Sequence, residues 1–239
     1  MKTKRFKKND ITKRFKTNDN FLIMCYAFVL ALICLITFIV RFYKCYQNDE
    51  KDRFSFCFRL IHHFTSQSNI LILIVMLLFF TSIRCKKIFS ILMFVAVIDI
   101  LLTCTVTHFI DRPEEKDDLI SKPFQIKHFQ HTFIPFLYIL FYFFKINHGL
   151  SLKKTYLGLI HPLCYFFFFL FANFLWKSEY YPYGMINPKR KGILGDILGS
   201  HRKEQGYSYL FLNIFLLAIV FYFLSYCILR LKKKINSPK

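Results

Sequence analysis

Six long apolar runs constrain this chain more than any other feature of its sequence. The first run, Phe21–Val40, is interrupted only by Thr37. A helix rises about 1.5 Å per residue, so roughly 20 apolar residues cross the hydrocarbon core of a bilayer. The runs are continuously apolar and much longer than the strands of membrane barrels, which argues against strands. Each run therefore predicts one helix that crosses a membrane.

Five further runs reach this length or nearly reach it. They are about Phe64–Ile83, Ile88–Ile110, Phe129–Phe144, Tyr156–Trp176 and Tyr207–Leu229. The six runs together predict an all-α, polytopic membrane protein with six transmembrane helices. The helical domain covers residues 21–231, between a basic head at 1–20 and a basic tail at 232–239. The head has no apolar pattern and is predicted to lack regular structure.

The distribution of charge predicts the orientation of the helices. If the N-terminus lies inside, Lys and Arg are about twofold denser in the inner segments than in the outer loops, as cytoplasmic segments require. Two acidic residues are then inside, eleven are in outer loops, and Asp99 is within the third helix. We therefore expect a multi-pass protein of the cell membrane with both termini cytoplasmic. This topology accounts for most of the net charge of +20, and no motif indicates a nucleic-acid partner.

The eight cysteines indicate neither a metal site nor a redox cofactor. They form no CxxC pair and no Cys/His cluster at zinc spacing. Cys45 and Cys57 share one predicted outer loop, where they could form a disulfide or remain free thiols.

Polar stripes run along three of the predicted helices, although polar side chains are costly at membrane depth and often functional there. The stripes comprise Thr65, Ser68 and Asn69 on the second helix, Asp99, Thr103 and Thr107 on the third, and His128 and His131 on the fourth. The predicted helix directions bring them together near the outer leaflet, with Thr65 and His131 within about one turn of the boundary. Ser, Thr and Asn also hydrogen-bond neighbouring membrane helices, so packing alone is a second interpretation.

Thr65 and His131 are the two residues that indicate chemistry. A hydroxyl nucleophile needs a positioned base, and histidine suits that task because its pKa lies near neutrality. Asn69 or Gln67 could donate hydrogen bonds to the resulting oxyanion. The sequence thus suggests a hydroxyl-dependent enzyme that needs no metal or other cofactor.

Asp99 supports a different hypothesis, since a carboxyl group near the middle of a membrane helix must be protonated or paired. A small proton-linked transporter or channel would use such a group. A non-catalytic membrane partner protein, whose polar stripes serve only to pack helices, is a further alternative. His161, beside Pro162 in the fifth helix, is assigned no role.

Three short segments resemble a known family. They are His63–Ile70 (HFTSQSNI), His131–Leu137 (HTFIPFL) and Tyr181–Pro188 (YPYGMINP). In their order and spacing, the chain resembles bacterial six-helix relatives of the androgen-induced-gene membrane protein family. The resemblance implies an intramembrane threonine hydrolase that acts on fatty acid esters of hydroxy fatty acids.

The family pattern can be carried onto individual residues of this chain. It has a Thr early in one helix, a His shortly before a Pro in a later helix, and then a Tyr-Pro segment. The resemblance therefore implies Thr65 as the nucleophile and His131, four residues before Pro135, as the base. It also implies that Tyr181 and Pro182 border the entrance for membrane lipids.

Overall fold

The fold of this chain is helical throughout the part that can be described. The structure, a computed structural model, describes residues 3–48, 61–110, 128–144, 150–176, 181–183, 186–189 and 206–236. All regular structure within these ranges is helical. The α-helices are α1 Thr3–Asn48, α2 Phe64–Phe79, α3 Lys87–Thr105, α4 Ile134–Phe144, α5 Leu157–Trp176 and α6 Gly206–Asn236.

Short turns of other helical types flank several of these helices. A 3-10 turn at Ser82–Cys85 links α2 to α3, and another at Leu152–Lys154 precedes α5. A π-helical turn at Val106–Ile110 continues α3, and a second one at Phe129–Phe133 leads into α4. The predicted apolar runs therefore match the observed helices within a few residues at most ends.

Four of the helices are long and apolar enough to cross a membrane. These segments are Phe21–Tyr43, Lys87–His108, Leu152–Leu175 and Gly206–Asn236. The remaining two, Phe64–Phe79 and Phe129–Phe144, are apolar but shorter. The prediction of an all-α protein with membrane-type helices is thus confirmed for the residues that the structure describes.

Apolar side chains cover much of the outside of the bundle, while several polar side chains are buried. Phe174 and Phe223 are 80% and 67% exposed, whereas Ser68, Asp99 and Ser225 are 0% exposed. Lipid tails accept an apolar exterior, and buried polar groups can hydrogen-bond between membrane helices. The burial pattern agrees with helices that lie in a bilayer.

The basic head is helical, although its sequence predicts no regular structure there. Helix α1 begins at Thr3, so the backbone of residues 3–20 is helical. Lys and Arg are good helix formers, and extending an existing helix costs much less than nucleating a new one. The apolar part of α1 can therefore propagate its helix into the head.

The ends of α4 and α6 meet through Lys232, the residue predicted to begin the basic tail. Lys232 belongs to α6, is buried, and donates hydrogen bonds through Nζ to the carbonyls of Tyr142 and Phe143. The last carbonyls of a helix have no partner within that helix, so the ammonium group satisfies two of them. The side chains of Cys45 and Cys57, which the sequence predicts either to form a disulfide or to remain free thiols, lie outside the described part of the chain.

Helices α1 and α4 run in opposite directions. Near the start of the apolar part of α1, the hydroxyl of Tyr26 donates to the carbonyl of Leu137 at 2.7 Å. Near its end, Arg41 Nη1 donates to Gln130 Oε1 at 3.2 Å. Because the later residue of α1 meets the earlier residue of the other segment, the two helices are antiparallel.

Candidate functional site

The hydroxyl of Thr65 lies in the first turn of α2. This helix begins at Phe64, and His63 at the N-cap makes no side-chain capping hydrogen bond. The hydroxyl of Tyr183 lies 3.4 Å from both the backbone nitrogen and Oγ1 of Thr65. Tyr183 thus accepts from one of the N–H groups that a helix start leaves without an intrahelical partner. It also lies beside the predicted nucleophile.

Tyr183 is a site residue that the sequence does not single out. The Tyr-Pro segment predicts a role for Tyr181 and Pro182, whereas the side chain that contacts Thr65 is that of Tyr183. Both tyrosines pack against a small apolar cluster. The aromatic segment predicts that this region borders the site, but tertiary packing decides which of its tyrosines contacts Thr65.

A largely apolar cavity of about 90 Å³ lies between α2, α3, α5 and α6. Its polar lining side chains are Thr65, Thr103, Thr107, Tyr165 and Tyr183. Leucine, isoleucine, valine, phenylalanine, alanine and proline form the rest of the wall. One water needs about 10–15 Å³ of such space, so the cavity can hold a larger group. An apolar wall with a few hydroxyl groups suits a hydrocarbon chain that carries one polar function.

The start of α2 lies partway along α5 rather than at its end. The hydroxyl of Tyr165 in α5 donates to the carbonyl of His62 at 2.7 Å. Helix α5 continues to Trp176, which is about 16 Å further along its axis. Thr65 therefore lies beside the middle of α5 although it belongs to the first turn of α2, because α2 is short and starts partway along a longer helix.

His131 lies in the π-helical turn Phe129–Phe133. Pro135 follows within the first turn of α4, and proline has no N–H to donate to the carbonyl four residues earlier, which is that of His131. The α-helical hydrogen-bond pattern is therefore interrupted at this point. Turns of this π type are rare and occur frequently at functional sites.

The two π-helical turns are joined by two hydroxyl–imidazole contacts. Thr107 Oγ1, in the turn Val106–Ile110, lies 2.8 Å from Nδ1 of His131. The next residues of the two turns make the same type of contact with the histidine and the threonine exchanged, and His108 Nε2 lies 3.2 Å from Thr132 Oγ1. The polar stripe of the third predicted helix thus reaches the stripe of the fourth helix at His131.

Thr65 and His131 lie in the same region of the bundle, but they have different hydrogen-bond partners. The Thr65 hydroxyl is near Tyr183, and His131 Nδ1 is near Thr107. Both threonines line the same cavity. The Thr65–His131 dyad stays a prediction, and the structure adds Thr107 as a second hydroxyl in this region.

Asn69 connects the turn that carries Thr65 to the turn that carries His131. Its Nδ2 donates to the carbonyl of Thr65 at 2.8 Å and to the carbonyl of Gln130 at 3.4 Å. Both amide hydrogens are therefore directed at backbone oxygens. In this arrangement Asn69 positions the two turns, and donation to an oxyanion would require one of these contacts to be released.

Gln67, the other predicted oxyanion donor, belongs to a chain of side-chain hydrogen bonds across α2, α5 and α3. Its Nε2 donates to the carbonyl of Ile61 at 3.0 Å, and its Oε1 lies 3.1 Å from His161 Nε2. His161 Nδ1 lies 2.6 Å from Oδ2 of Asp99, which is 0% exposed. His161, to which the sequence assigned no role, is the centre of this chain.

The hydrogen positions in this chain follow from the chemistry of its partners. The carbonyl of Ile61 only accepts hydrogen bonds, so the amide nitrogen of Gln67 faces it and Oε1 faces His161. Nε2 of His161 must therefore carry a hydrogen. A second hydrogen must lie between His161 Nδ1 and Asp99 Oδ2, because two lone pairs at 2.6 Å would repel each other. The unit is either a neutral acid–imidazole pair or an ion pair.

His63 is another imidazole near the start of α2. Its ring centroid lies 5.7 Å from that of Tyr183. His63 therefore packs against the tyrosine whose hydroxyl lies beside Thr65.

No group of three or more His, Cys, Asp and Glu side chains among the described residues could hold a metal ion. Searches for related proteins found that the chain matches no family model, no curated protein and no solved structure.

Proposed function

We propose that this protein is an intramembrane hydrolase of fatty acyl esters, with Thr65 as the nucleophile and His131 as the general base and acid. The observation that carries this proposal is the cavity, which places the Thr65 hydroxyl on a largely apolar wall between four helices. An acyl chain would occupy the apolar part, with its ester carbonyl beside Thr65. The three sequence segments that resemble a family of threonine hydrolases support the same reaction.

The reaction would proceed through an acyl-threonine. His131 takes the proton of Thr65 as Oγ1 attacks the ester carbonyl, and the hydroxyl of Tyr183 donates to the oxyanion. The ester C–O bond then breaks, and the leaving hydroxyl receives the proton from His131. A water then gives a proton to His131 as it attacks the acyl-threonine, and Oγ1 of Thr65 recovers that proton as the fatty acid departs. His131 must turn from Thr107 toward Thr65 for this, which is compatible with the loose geometry that catalytic groups often have before substrate binds.

The experiment that tests this function measures hydrolysis of a long-chain acyl ester and labelling by an alkyl fluorophosphonate in purified protein. Thr65→Ala should remove the adduct from Thr65 and lower hydrolysis, and His131→Ala should lower the rate about 10²- to 10⁴-fold. Ser66→Ala removes a neighbouring buried hydroxyl and should retain activity, which makes it a matched control. Absence of both activities in the wild type, or wild-type rates in both variants, would show that the proposal is wrong.

We also propose six membrane crossings with both termini in the cytoplasm. The density of Lys and Arg and the antiparallel contacts of α1 with α4 support this topology. Cys85, an exposed residue in the turn Ser82–Cys85, would then face the cytoplasm. In a variant whose only cysteine is Cys85, an impermeant thiol reagent should label inside-out vesicles and spare right-side-out ones. Lys189→Cys in a cysteine-free chain is the control and should give the opposite pattern, and the same pattern for both would contradict the topology.

A proton-linked transporter is the second candidate function, and the contact between Asp99 and His161 favours it. This contact places a buried carboxyl group and an imidazole 2.6 Å apart, with a hydrogen between them, inside the helical bundle. Proton-coupled flux into vesicles that is lost in Asp99→Asn and retained in Thr65→Ala would favour transport over hydrolysis.

A further inference from the structure

In the tautomer that carries the ring hydrogen of His131 on Nε2, Thr107 has the contact that a nucleophile makes with its general base. Its Oγ1 lies 2.8 Å from His131 Nδ1, within hydrogen-bond reach. The Thr65 hydroxyl is instead 3.4 Å from the hydroxyl of Tyr183, where either hydroxyl can donate, and a neutral phenol is a much weaker base than an imidazole. In the structure as it stands, Thr107 is therefore the hydroxyl better placed to lose its proton.

Thr107 also faces the space that the proposed substrate would occupy. It lines the same cavity as Thr65, from the π-helical turn at the end of α3. Its neighbours on this wall include Leu102 and Val106, which supply apolar surface. An acyl ester in the cavity would thus meet two hydroxyl groups, one from α2 and one from the turn after α3.

The contact between Thr107 and His131 is held by the structure around it. The adjacent pair His108–Thr132 joins the same two turns at 3.2 Å. Asn69, through the carbonyl of Gln130, ties the turn of His131 to α2. Activation of Thr107 by His131 needs no rearrangement of these contacts, whereas activation of Thr65 requires His131 to turn.

We propose that Thr107 is a second catalytic hydroxyl of this cavity and that His131 activates it directly. This inference rests on the proposed hydrolase function and deepens it. The Thr107 proton passes to His131 Nδ1 while Oγ1 bonds to the acyl carbonyl carbon. The ester C–O bond breaks with its electron pair, and the leaving hydroxyl takes the proton from Nδ1. Water then gives a proton to His131 as it attacks the acyl-threonine, and Oγ1 of Thr107 recovers that proton as the fatty acid departs.

The test locates the covalent adduct in the full-length protein. Wild type, Thr65→Ala, Thr107→Val and the double variant are treated with a long-chain alkyl fluorophosphonate, digested and sequenced by mass spectrometry. We expect a phosphonate on Thr107 in wild type and in Thr65→Ala, and no adduct on either position in the double variant. Valine has nearly the shape of threonine without the hydroxyl. Thr107→Ser should restore the adduct at position 107, which a loss of packing alone would not predict.

The outcomes separate this inference from the function on which it rests. An adduct on Thr65 alone, with hydrolysis unchanged in Thr107→Val, would overturn the role of Thr107 and leave the hydrolase in place. No adduct on either threonine, together with no ester hydrolysis, would overturn both proposals. The mapping in wild type and in Thr107→Ser decides the question even if Thr107→Val folds poorly.

Discussion

Replacing His161 by leucine is expected to lower the free energy of unfolding by about 3 kcal/mol, because it leaves the buried carboxyl group of Asp99 without its partner. Oδ2 of Asp99 lies 2.6 Å from His161 Nδ1, and Oδ1 has no hydrogen-bond partner among the described residues. We expect this loss of unfolding free energy to lie at the lower end of the range found when buried ion pairs are broken, because Asp99 can become neutral by binding a proton. Equilibrium unfolding in mixed detergent micelles measures it.

Two matched variants distinguish this explanation from a simple loss of packing at His161. Asp99→Asn keeps the shape of the side chain, and its amide can donate to His161 Nδ1, so we expect a loss below about 1 kcal/mol. Replacing both Asp99 and His161 by leucine removes both polar partners and should cost less than His161→Leu alone. Equal losses for Asp99→Asn and His161→Leu would contradict the argument.

Filling the cavity from α6 should have the second large effect, this time on activity. Ala218 lines the cavity, and Ala218→Phe places an aromatic ring in the space proposed for the acyl chain. A lipid substrate is already in apolar surroundings, so the cavity contributes packing and orientation rather than hydrophobic transfer. Displacing the ester by even a small distance should therefore lower kcat/KM for long-chain esters about 100-fold.

The control for this variant lies on the outer face of the same helix. Leu212 is 45% exposed, and Leu212→Phe adds an aromatic ring there without entering the cavity. We expect it to retain the wild-type kcat/KM, and we expect esters with very short acyl chains to be affected less by Ala218→Phe. A folded Ala218→Phe variant that hydrolyses long-chain esters at the wild-type rate would place the acyl chain elsewhere.

The helices could be predicted from the sequence because their cause is local. A continuous apolar run such as Phe21–Val40 or Tyr207–Leu229 leaves the backbone no partner in lipid except itself, and a helix satisfies every internal N–H and C=O group. The main differences occur at the ends. Helix α2 stops at Phe79, and α6 continues to Asn236, where a polar sequence extends a helix that is already formed.

The candidate site could be predicted only as a region. Spacing of three or four residues places Thr103 and Thr107 on one face of a helix, but it carries no information on which neighbour that face meets. Thr103 donates to Ser68 on α2, while Thr107 contacts His131 beside α4. The rotation of each helix about its axis depends on how all its side chains pack.

The sequence by itself thus determined the all-α architecture and the polar stripes, because apolar length and helical spacing are properties of single segments. Only the tertiary structure decided which side chains of these stripes contact each other. It placed Tyr183 beside Thr65 and Thr107 beside His131, and it gave His161 two partners, Asp99 and Gln67. These contacts join residues that are distant in sequence, so they exist only once the helices have packed with one particular depth and rotation.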